Sequence, residues 1–469
     1  MTLALAHDYL TALDAPLVGQ GGRVPLLDGS AVRPVNLDHA ASTPALRSVQ
    51  ETVERFLAWY SSVHRGAGFA SQISTRAYEE ARELVGAFVG ARPGQHAVIF
   101  GANTTWAINK LARRIPFRPG EVVISSDLEH HANDLPWRRV ARVAYVRVDA
   151  RGQIDEDHYA ALLRRHAGRV RLVAISGGSN VTGTLPAIHR LAEQAHAAGA
   201  EIAVDCAQLA PHRPIDLGDL DDPAHLDYVA FSGHKLYAPF GSGVLIGRRD
   251  TFAQGDPDTV GGGAVLRVDP ESISWADAPA RDEAGTPNVV GAVALAAATR
   301  ELRKIGLETI AAHEAALTAE ALRRLPGVPG LRIYGDTDPE RAAERLGVIP
   351  FSVDGVDHRL AAAVLSYEYG IAVRTGSFCA QPYVRRLLEL AEAEVGCGAS
   401  GAPAGLIRAS FGLANNHADI DRLIAALSAL ASGTYRGTYH LCDDGCYRPQ
   451  EWSAATSDYF TLYESLPLR

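Results

Sequence analysis

The sequence predicts an α/β protein with two units: a large domain built on a mostly parallel seven-stranded sheet, and a smaller α+β domain behind it. Three observations carry this. Between about residues 97 and 247, short apolar runs alternate with stretches whose apolar positions recur at helical spacing, the pattern of a parallel sheet covered on both faces. The chain has 469 residues, well beyond one core of roughly 150. From about residue 293 the pattern turns to Ala/Leu/Arg/Glu-rich helical runs followed by shorter strands.

In chain order, residues 1–34 read as a helical or irregular arm. A short strand follows at 35–38, then a turn of small residues, His39 to Pro44, that lets backbone approach a ligand. A helix is expected over 74–90 with Ser74 as its N-cap. Strands are expected at 97–100, 122–125, 143–148, 172–176, 202–205, 228–231 and 244–247, with helices at 104–114, 155–166 and 187–198. The large domain spans 35–292 and the small domain 293–431, the latter with helices at 357–369 and 417–431. An Ala/Gly-rich stretch, 391–405, interrupts the small domain and carries Cys397; residues 432–469 form a C-terminal extension with His440, Cys442 and Cys446.

Composition excludes several classes. Hydrophobic residues make up 47% and charged residues 21% of the chain, the balance of an ordinary globular protein. Forty-five Lys and Arg against 54 Asp and Glu give a net charge of -9, which speaks against nucleic acid as a partner. No apolar run reaches membrane-span length, and His7 and Asp8 interrupt the N-terminal stretch where a signal peptide needs an unbroken apolar core. A cytoplasmic protein acting on small molecules or other proteins is expected. Five cysteines are too few for a disulfide scaffold.

The chemistry gathers around Phe231-Ser232-Gly233-His234-Lys235-Leu236-Tyr237, just past a strand. A lysine drawn into a low-dielectric pocket gives up its proton and becomes a nucleophilic amine able to form a Schiff base. Ser232 and His234 are phosphate-type donors, and Asp205 closes an earlier strand, where a carboxylate can hold a pyridine nitrogen protonated. A surface lysine and a strand-terminal aspartate are the competing readings. Gly101-Ala102-Asn103-Thr104-Thr105 opens a helix directly after a strand: either an anion site or an ordinary N-cap. His130 and His131, in Glu129-His130-His131-Ala132-Asn133, offer ring stacking and proton transfer or a solvated loop. Asn180 and Gln208 sit just past strand ends, where an amide suits a phenolic oxygen. In Arg374-Thr375-Gly376-Ser377-Phe378-Cys379, the cysteine is either a thiolate near positive charge or packing. Arg408 offers a bidentate carboxylate site from within a strand.

Taken together, SGHKLYAPFGSG (232–243), LEHHAN (128–133), SNVTGT (179–184), EAGTPN (283–288), VHRG (63–66) and RTGSFCAQP (374–382) resemble the class V aminotransferase group of pyridoxal-phosphate enzymes, and within it the group II cysteine desulfurases and selenocysteine lyases. The likeness runs from about residue 36 to 432. It implies the type I fold of pyridoxal-phosphate-dependent transferases and pyridoxal 5'-phosphate as cofactor. Lys235 would be the Schiff-base lysine, His130 would stack on the ring, Asp205 would pair with its nitrogen, and Asn180 and Gln208 would flank its oxygen. Thr104, Thr105, Ser232 and His234 would hold the phosphate, with Thr286 from the neighbouring subunit of a homodimer. Arg408 would bind the substrate carboxylate, with Arg374, His64, Ala41 and Asn180 nearby, and Cys379 would accept sulfur. L-cysteine would become L-alanine, leaving a persulfide on Cys379 for a protein acceptor; no metal is implied. The alternatives are a C–S or C–Se lyase, another class V activity such as an epimerase or aminotransferase, and a non-catalytic scaffold. Three departures stand out: Ser377-Phe378 occupy the place where the family often has two histidines, the 391–405 insertion lengthens the run to Arg408, and the tail has no counterpart. The tail reads as a sulfur relay near the site, a metal site or a surface extension.

Overall fold

The computed structural model describes residues 13, 15–149, 151–388 and 405–462. All seven expected strands lie in one sheet: β1 (His96–Gly101), β2 (Val122–Ser126), β3 (Arg142–Val146), β4 (Val170–Ser176), β5 (Glu201–Asp205), β6 (Tyr228–Ser232) and β7 (Gly243–Arg248), in spatial order β1-β7-β6-β5-β4-β2-β3. Neighbours are parallel except at β7, which runs antiparallel to β1 and β6. The connection from β6 to β7 is too short for the crossover that parallel strands need. Alternate residues feed two cores: Val173, Ile175, Val204 and Phe231 on one face, Leu172, Ala174, Ala203 and Ala230 on the other. Burial of both faces explains why these strands read as continuous apolar runs.

Helices α1 (Arg47–Leu57), α2 (Phe69–Phe88), α3 (Thr104–Arg114), α4 (Glu156–Arg165) and α5 (Ile188–Ala197) belong to this unit. Asn103 caps α3 by accepting from the Trp106 N–H, and Asp155 caps α4 through the His158 N–H. Ser74, the expected N-cap of α2, lies inside that helix, which starts after Gly68. Its buried hydroxyl donates to the Trp59 carbonyl and accepts from the Ser61 N–H, so its polarity serves a neighbouring loop instead of the helix end.

The long helical run after residue 288 forms two helices, α6 (Val289–Ile305) and α7 (Leu307–Arg324), divided at Gly306, whose φ of 93° favours glycine. The second unit is an antiparallel sheet of β8 (Leu331–Ile333), β9 (Val348–Val353), β10 (Arg374–Gly376) and β11 (Leu406–Ser410), ordered β8-β9-β11-β10, with α8 (His358–Tyr369), α9 (Gln381–Leu387) and α10 (His417–Ala431). Packing departs from the boundaries expected at 35 and 293. Val35 and Leu37 lie in the second core, and Val35–Asn36 pairs with Ile371–Ala372; α6 contributes Ala292, Leu295 and Leu302 to the first core. Residues 24–32, expected as helical or irregular, include a strand pair, Val24–Pro25 with Ala31–Val32. Two further hairpins were not anticipated: Val265–Asp269 with Ser272–Trp275, and Tyr439–Leu441 with Tyr447–Pro449 in the tail. Residues 391–404 of the Ala/Gly-rich insertion, including Cys397, lie outside the described residues. No helix among the described residues is long and apolar enough to cross a membrane.

At the end of the sheet away from the strand carboxyl termini, the imidazoles of His196 and His225 stack 4.1 Å apart and reach the two oxygens of buried Asp227 at 2.8 and 3.1 Å. Their Nδ1 atoms donate to the carbonyls of Pro223 and Asp222. Burial works against the Asp227 anion, but the bonds from His196, His225 and the Ile202 N–H hold its carboxyl well below the usual range. Burial also works against protonated His196, yet Asp227 raises it above its ordinary value. The raised His196 contributes stability that is full below its unfolded value of 6.5 and lost as pH rises through its folded value. Asp227→Asn should therefore cost about 3 kcal/mol in urea unfolding near pH 6. The gap to the parent protein should narrow toward about pH 9; a gap that widened with pH would contradict this electrostatic account.

Candidate active site

The register of the large sheet aligns the chemistry. Ser176 and Asp205, the last residues of β4 and β5, are paired, and Ser232, Gly243 and Gly101 form a second row across β6, β7 and β1. Gly243 is required by close approach: a Cβ there would lie 2.5 Å from the Asn103 Cα. Without a side chain at that point, the loop before α3 closes onto the sheet, and the Thr104 N–H donates to Ser232 Oγ at 2.8 Å, with the two hydroxyls 2.7 Å apart. The hydroxyls of Thr104, Thr105 and Ser232 thus gather at a helix N-terminus, beside which an anion is stabilised.

The Gly233–Lys235 turn continues β6. It is fixed from outside by the small-residue turn: the Thr43 N–H donates to the His234 carbonyl at 2.8 Å, and the Tyr237 N–H donates to Thr43 Oγ1 at 2.7 Å. Lys235 is thereby held against a cavity of about 250 Å³. Burial pulls its amine down to about 8, Asp205 and Cys379 acting upward and Arg408 downward. Burial pushes the Asp205 carboxyl above its usual range, opposed by the Ala207 N–H it accepts and by Lys235. Gln208 lines the cavity and donates to the Ala40 carbonyl.

His130 accepts the Ala132 N–H at Nδ1. Burial, aided by the charges of Lys235, His131 and Arg408, pushes it down to about 4, so the ring is neutral near pH 7 with its proton on Nε2. Its neighbour Glu129 is buried and accepts from Ser126, Ser176 and Asn133. Burial raises that carboxyl to about 7 against these bonds.

Cys379 is exposed and enters from the small domain. Phe378 and Cys379 have φ of 51° and 54°, left-handed values that cost about 1–3 kcal/mol each and persist only when surroundings enforce them. Here Asn180 Nδ2 donates to the Phe378 carbonyl and the His131 N–H to the Cys379 carbonyl, both at 2.7 Å. The Gln381 N–H donates to His131 Nε2 at 3.3 Å. The Phe378 ring packs with Leu128, Val181 and Tyr383, with the Arg408 guanidinium 4.9 Å from its centroid. Arg408 is 2% exposed and gives one nitrogen to the Asn180 carbonyl at 2.9 Å and another to Asp38 Oδ1 at 3.0 Å, while its Nε is buried with no hydrogen-bond partner. Arg374, directly opposite Arg408 in the β10-β11 register, lies 3.9 Å from the other oxygen of Asp38.

One cavity therefore gathers Ala41, Thr104, Thr105, His130, Asn180, Asp205, Gln208, Ser232, His234, Lys235, Arg374, Cys379 and Arg408. Two expected residues stand apart from it in this chain. Thr286 is exposed, and His64 is hydrogen-bonded to Glu79 and edge-on to Tyr78. Cys442 and Cys446 also lie off the cavity, on the tail hairpin. Asp38 was missed: its only sequence signal was a carboxylate entering the small-residue turn, and its partner lies 370 residues away. The donor set fits a phosphorylated pyridine aldehyde, with anion donors at α3 and β6, a buried carboxylate on β5 and an amine of lowered basicity.

A protein family described as aminotransferase class-V matches residues 35–423. A cysteine desulfurase from Haloferax volcanii is 35% identical over 404 residues, 84% of this chain and 89% of that protein. One from Dickeya dadantii is 37% identical over 402 residues, covering 83% and 90%. Among solved structures, an apo cysteine desulfurase from Thermococcus onnurineus NA1 superposes with a TM-score of 0.74 at 29% identity, over 85% of this chain and 95% of the other. An Escherichia coli cysteine desulfurase in an S-sulfonic acid form gives 0.72 at 33%, over 86% and 96%.

In the cofactor-free protein, Lys235 should titrate at about 8, read as the pH dependence of its labelling by acetic anhydride, followed by mass spectrometry. Asp205→Asn removes a charge that favours the ammonium, so the midpoint should fall. A midpoint unchanged near the ordinary lysine value of about 10.4 would place the amine in solvent.

Proposed function

The chain belongs to the class-V aminotransferase family, and from that premise we propose that it is a pyridoxal-phosphate-dependent cysteine desulfurase that converts L-cysteine to L-alanine and collects the sulfur as a persulfide on Cys379. The observation that carries the reading is the convergence, in one cavity, of a lysine of lowered basicity, a buried aspartate and a cysteine held in a strained loop.

When bound, the cofactor supplies an electrophilic carbon and an electron-accepting ring. Asp205 would face the ring nitrogen, Asn180 and Gln208 its oxygen, and Thr104, Thr105, Ser232 and His234 the phosphate. His130, neutral with Nε2–H, would lie over the ring without adding a charge that competes with Asp205. Arg408, which lines the cavity, would receive the substrate carboxylate beside the contacts it already makes to Asp38 and Asn180. With a value of about 8, Lys235 is poised to take and return a proton near neutral pH. The Cys379 thiolate attacks the substrate sulfur; an S–S bond forms as the C–S bond breaks, and the carbon left behind gains a proton to become alanine. The paired-subunit arrangement that would bring Thr286 to a neighbouring site, and transfer of the persulfide to a protein acceptor in the cytoplasm, belong to the same proposal.

Lys235→Ala should lower alanine formation from L-cysteine by about 10²–10⁴-fold, the usual worth of a positioned acid–base group, and abolish the visible absorption that appears on adding pyridoxal phosphate. Cys379→Ala should retain that absorption but lose the gain of one sulfur atom on the protein, read by intact mass. Full turnover in Cys379→Ala would favour a C–S lyase, and no absorption in the parent protein would favour a scaffold.

A further inference from the structure

The tail hairpin pairs Tyr439 with Pro449, His440 with Arg448 and Leu441 with Tyr447. Extending this register by one step sets Cys442 opposite Cys446. The Cys442 N–H donates to the Cys446 carbonyl at 2.9 Å, so the ladder continues to that point. The loop between them, Asp443-Asp444-Gly445, is held shut: Gly445, with φ of 78°, donates to the Cys442 carbonyl at 2.9 Å, and Asp444 accepts the Cys446 N–H at 3.1 Å. Directly opposed residues of an antiparallel pair project to the same face. The Cys442 N–H to Cys446 carbonyl bond makes this a hydrogen-bonded pair, whose Cβ atoms stand about 5.5 Å apart. Closing a disulfide, which spans about 3.5–4.5 Å, therefore draws the two ends of the exposed turn together by about 1 Å.

Both cysteines are free and neither is buried. Each has a guanidinium beside it, Arg448 at Cys442 and Arg359 at Cys446. Arg448 is itself held by Asp444 at 2.5 Å, and Arg359 reaches the Gly445 carbonyl at 3.3 Å. Among the described residues, no third His, Cys, Asp or Glu ligand joins the pair in a metal-binding group.

We propose that Cys442 and Cys446 form a cross-strand dithiol that exchanges with low-molecular-weight disulfides and closes reversibly into an intrachain disulfide. One thiolate attacks a sulfur of the small disulfide, forming a mixed disulfide and expelling one thiolate. The second cysteine thiolate then attacks the protein sulfur of that bond, closing Cys442 to Cys446 and expelling the other. The two protein thiols lose two electrons and two protons, and the small disulfide is reduced to two thiols. The site is separate from Cys379, and the turn rests on Arg359 near the start of α8.

Trypsin releases both cysteines in one fragment, residues 437–469, which contains no other cysteine. The full chain is equilibrated anaerobically with glutathione disulfide, the remaining thiols are alkylated, and the fragment is weighed. The expected result is a fragment two hydrogens lighter, carrying neither alkyl group nor glutathione, that returns to two alkylated thiols after dithiothreitol. Cys442→Ser and Cys446→Ser should each hold one glutathione on the remaining cysteine. A parent fragment that keeps both thiols, takes up two glutathiones or cross-links to another chain overturns the proposal. The readout is independent of desulfurase turnover.

Discussion

The site depends on the burial of one guanidinium between three parts of the chain. Arg408 leaves β11, pairs with Asp38 just past the N-terminal strand, donates to the Asn180 carbonyl beyond β4, and lies over the Phe378 ring in the loop that carries Cys379. Removing one partner of such a pair costs about 3–5 kcal/mol, because the other charge stays buried and unpaired. Arg408 thus does more than offer donors to a substrate: it sets how the small-domain sheet and the Cys379 loop sit over the carboxyl ends of the large sheet.

The same arrangement accounts for the departure at Ser377-Phe378. Phe378 is buried among Leu128, Val181 and Tyr383, and its carbonyl is taken by Asn180. Two consecutive left-handed residues are retained because the hydrogen bonds from Asn180, His131 and Gln381, together with the packing of the ring, outweigh a local cost of about 1–3 kcal/mol at each position. The result is an exposed cysteine at the mouth of a packed loop, lining the same cavity as Lys235.

Electrostatics in the cavity separate the roles. Burial lowers Lys235 and His130, so near pH 7 the imidazole is neutral while the amine is close to its own titration. Asp205 lies on β5, between the strands that end in Ser176 and Ser232. Its position follows from sheet register, as does the meeting of Thr104 with Ser232, which requires glycine at 243.

The strands, most helices and the residues of the cavity were legible in the chain because each is a local signal: buried strands are apolar runs, and reactive side chains follow strand ends in short motifs. Ser74 misled because a hydroxyl before an apolar run is the same signal whether it caps a helix or ties a loop. The tail hairpin escaped because its two strands, Tyr439–Leu441 and Tyr447–Pro449, are too short to show an alternating pattern, and its register appears only once Tyr439 is paired with Pro449. By itself the sequence determined the α/β class, the Lys235 motif and the cysteine loop. Tertiary structure alone decided that Asp38 partners Arg408, that Val35 and Leu37 belong to the second core while α6 belongs to the first, and that Cys442 faces Cys446. Those are contacts between segments far apart or set by pairing register, and no local pattern of residues encodes which distant surface an apolar or charged side chain will meet.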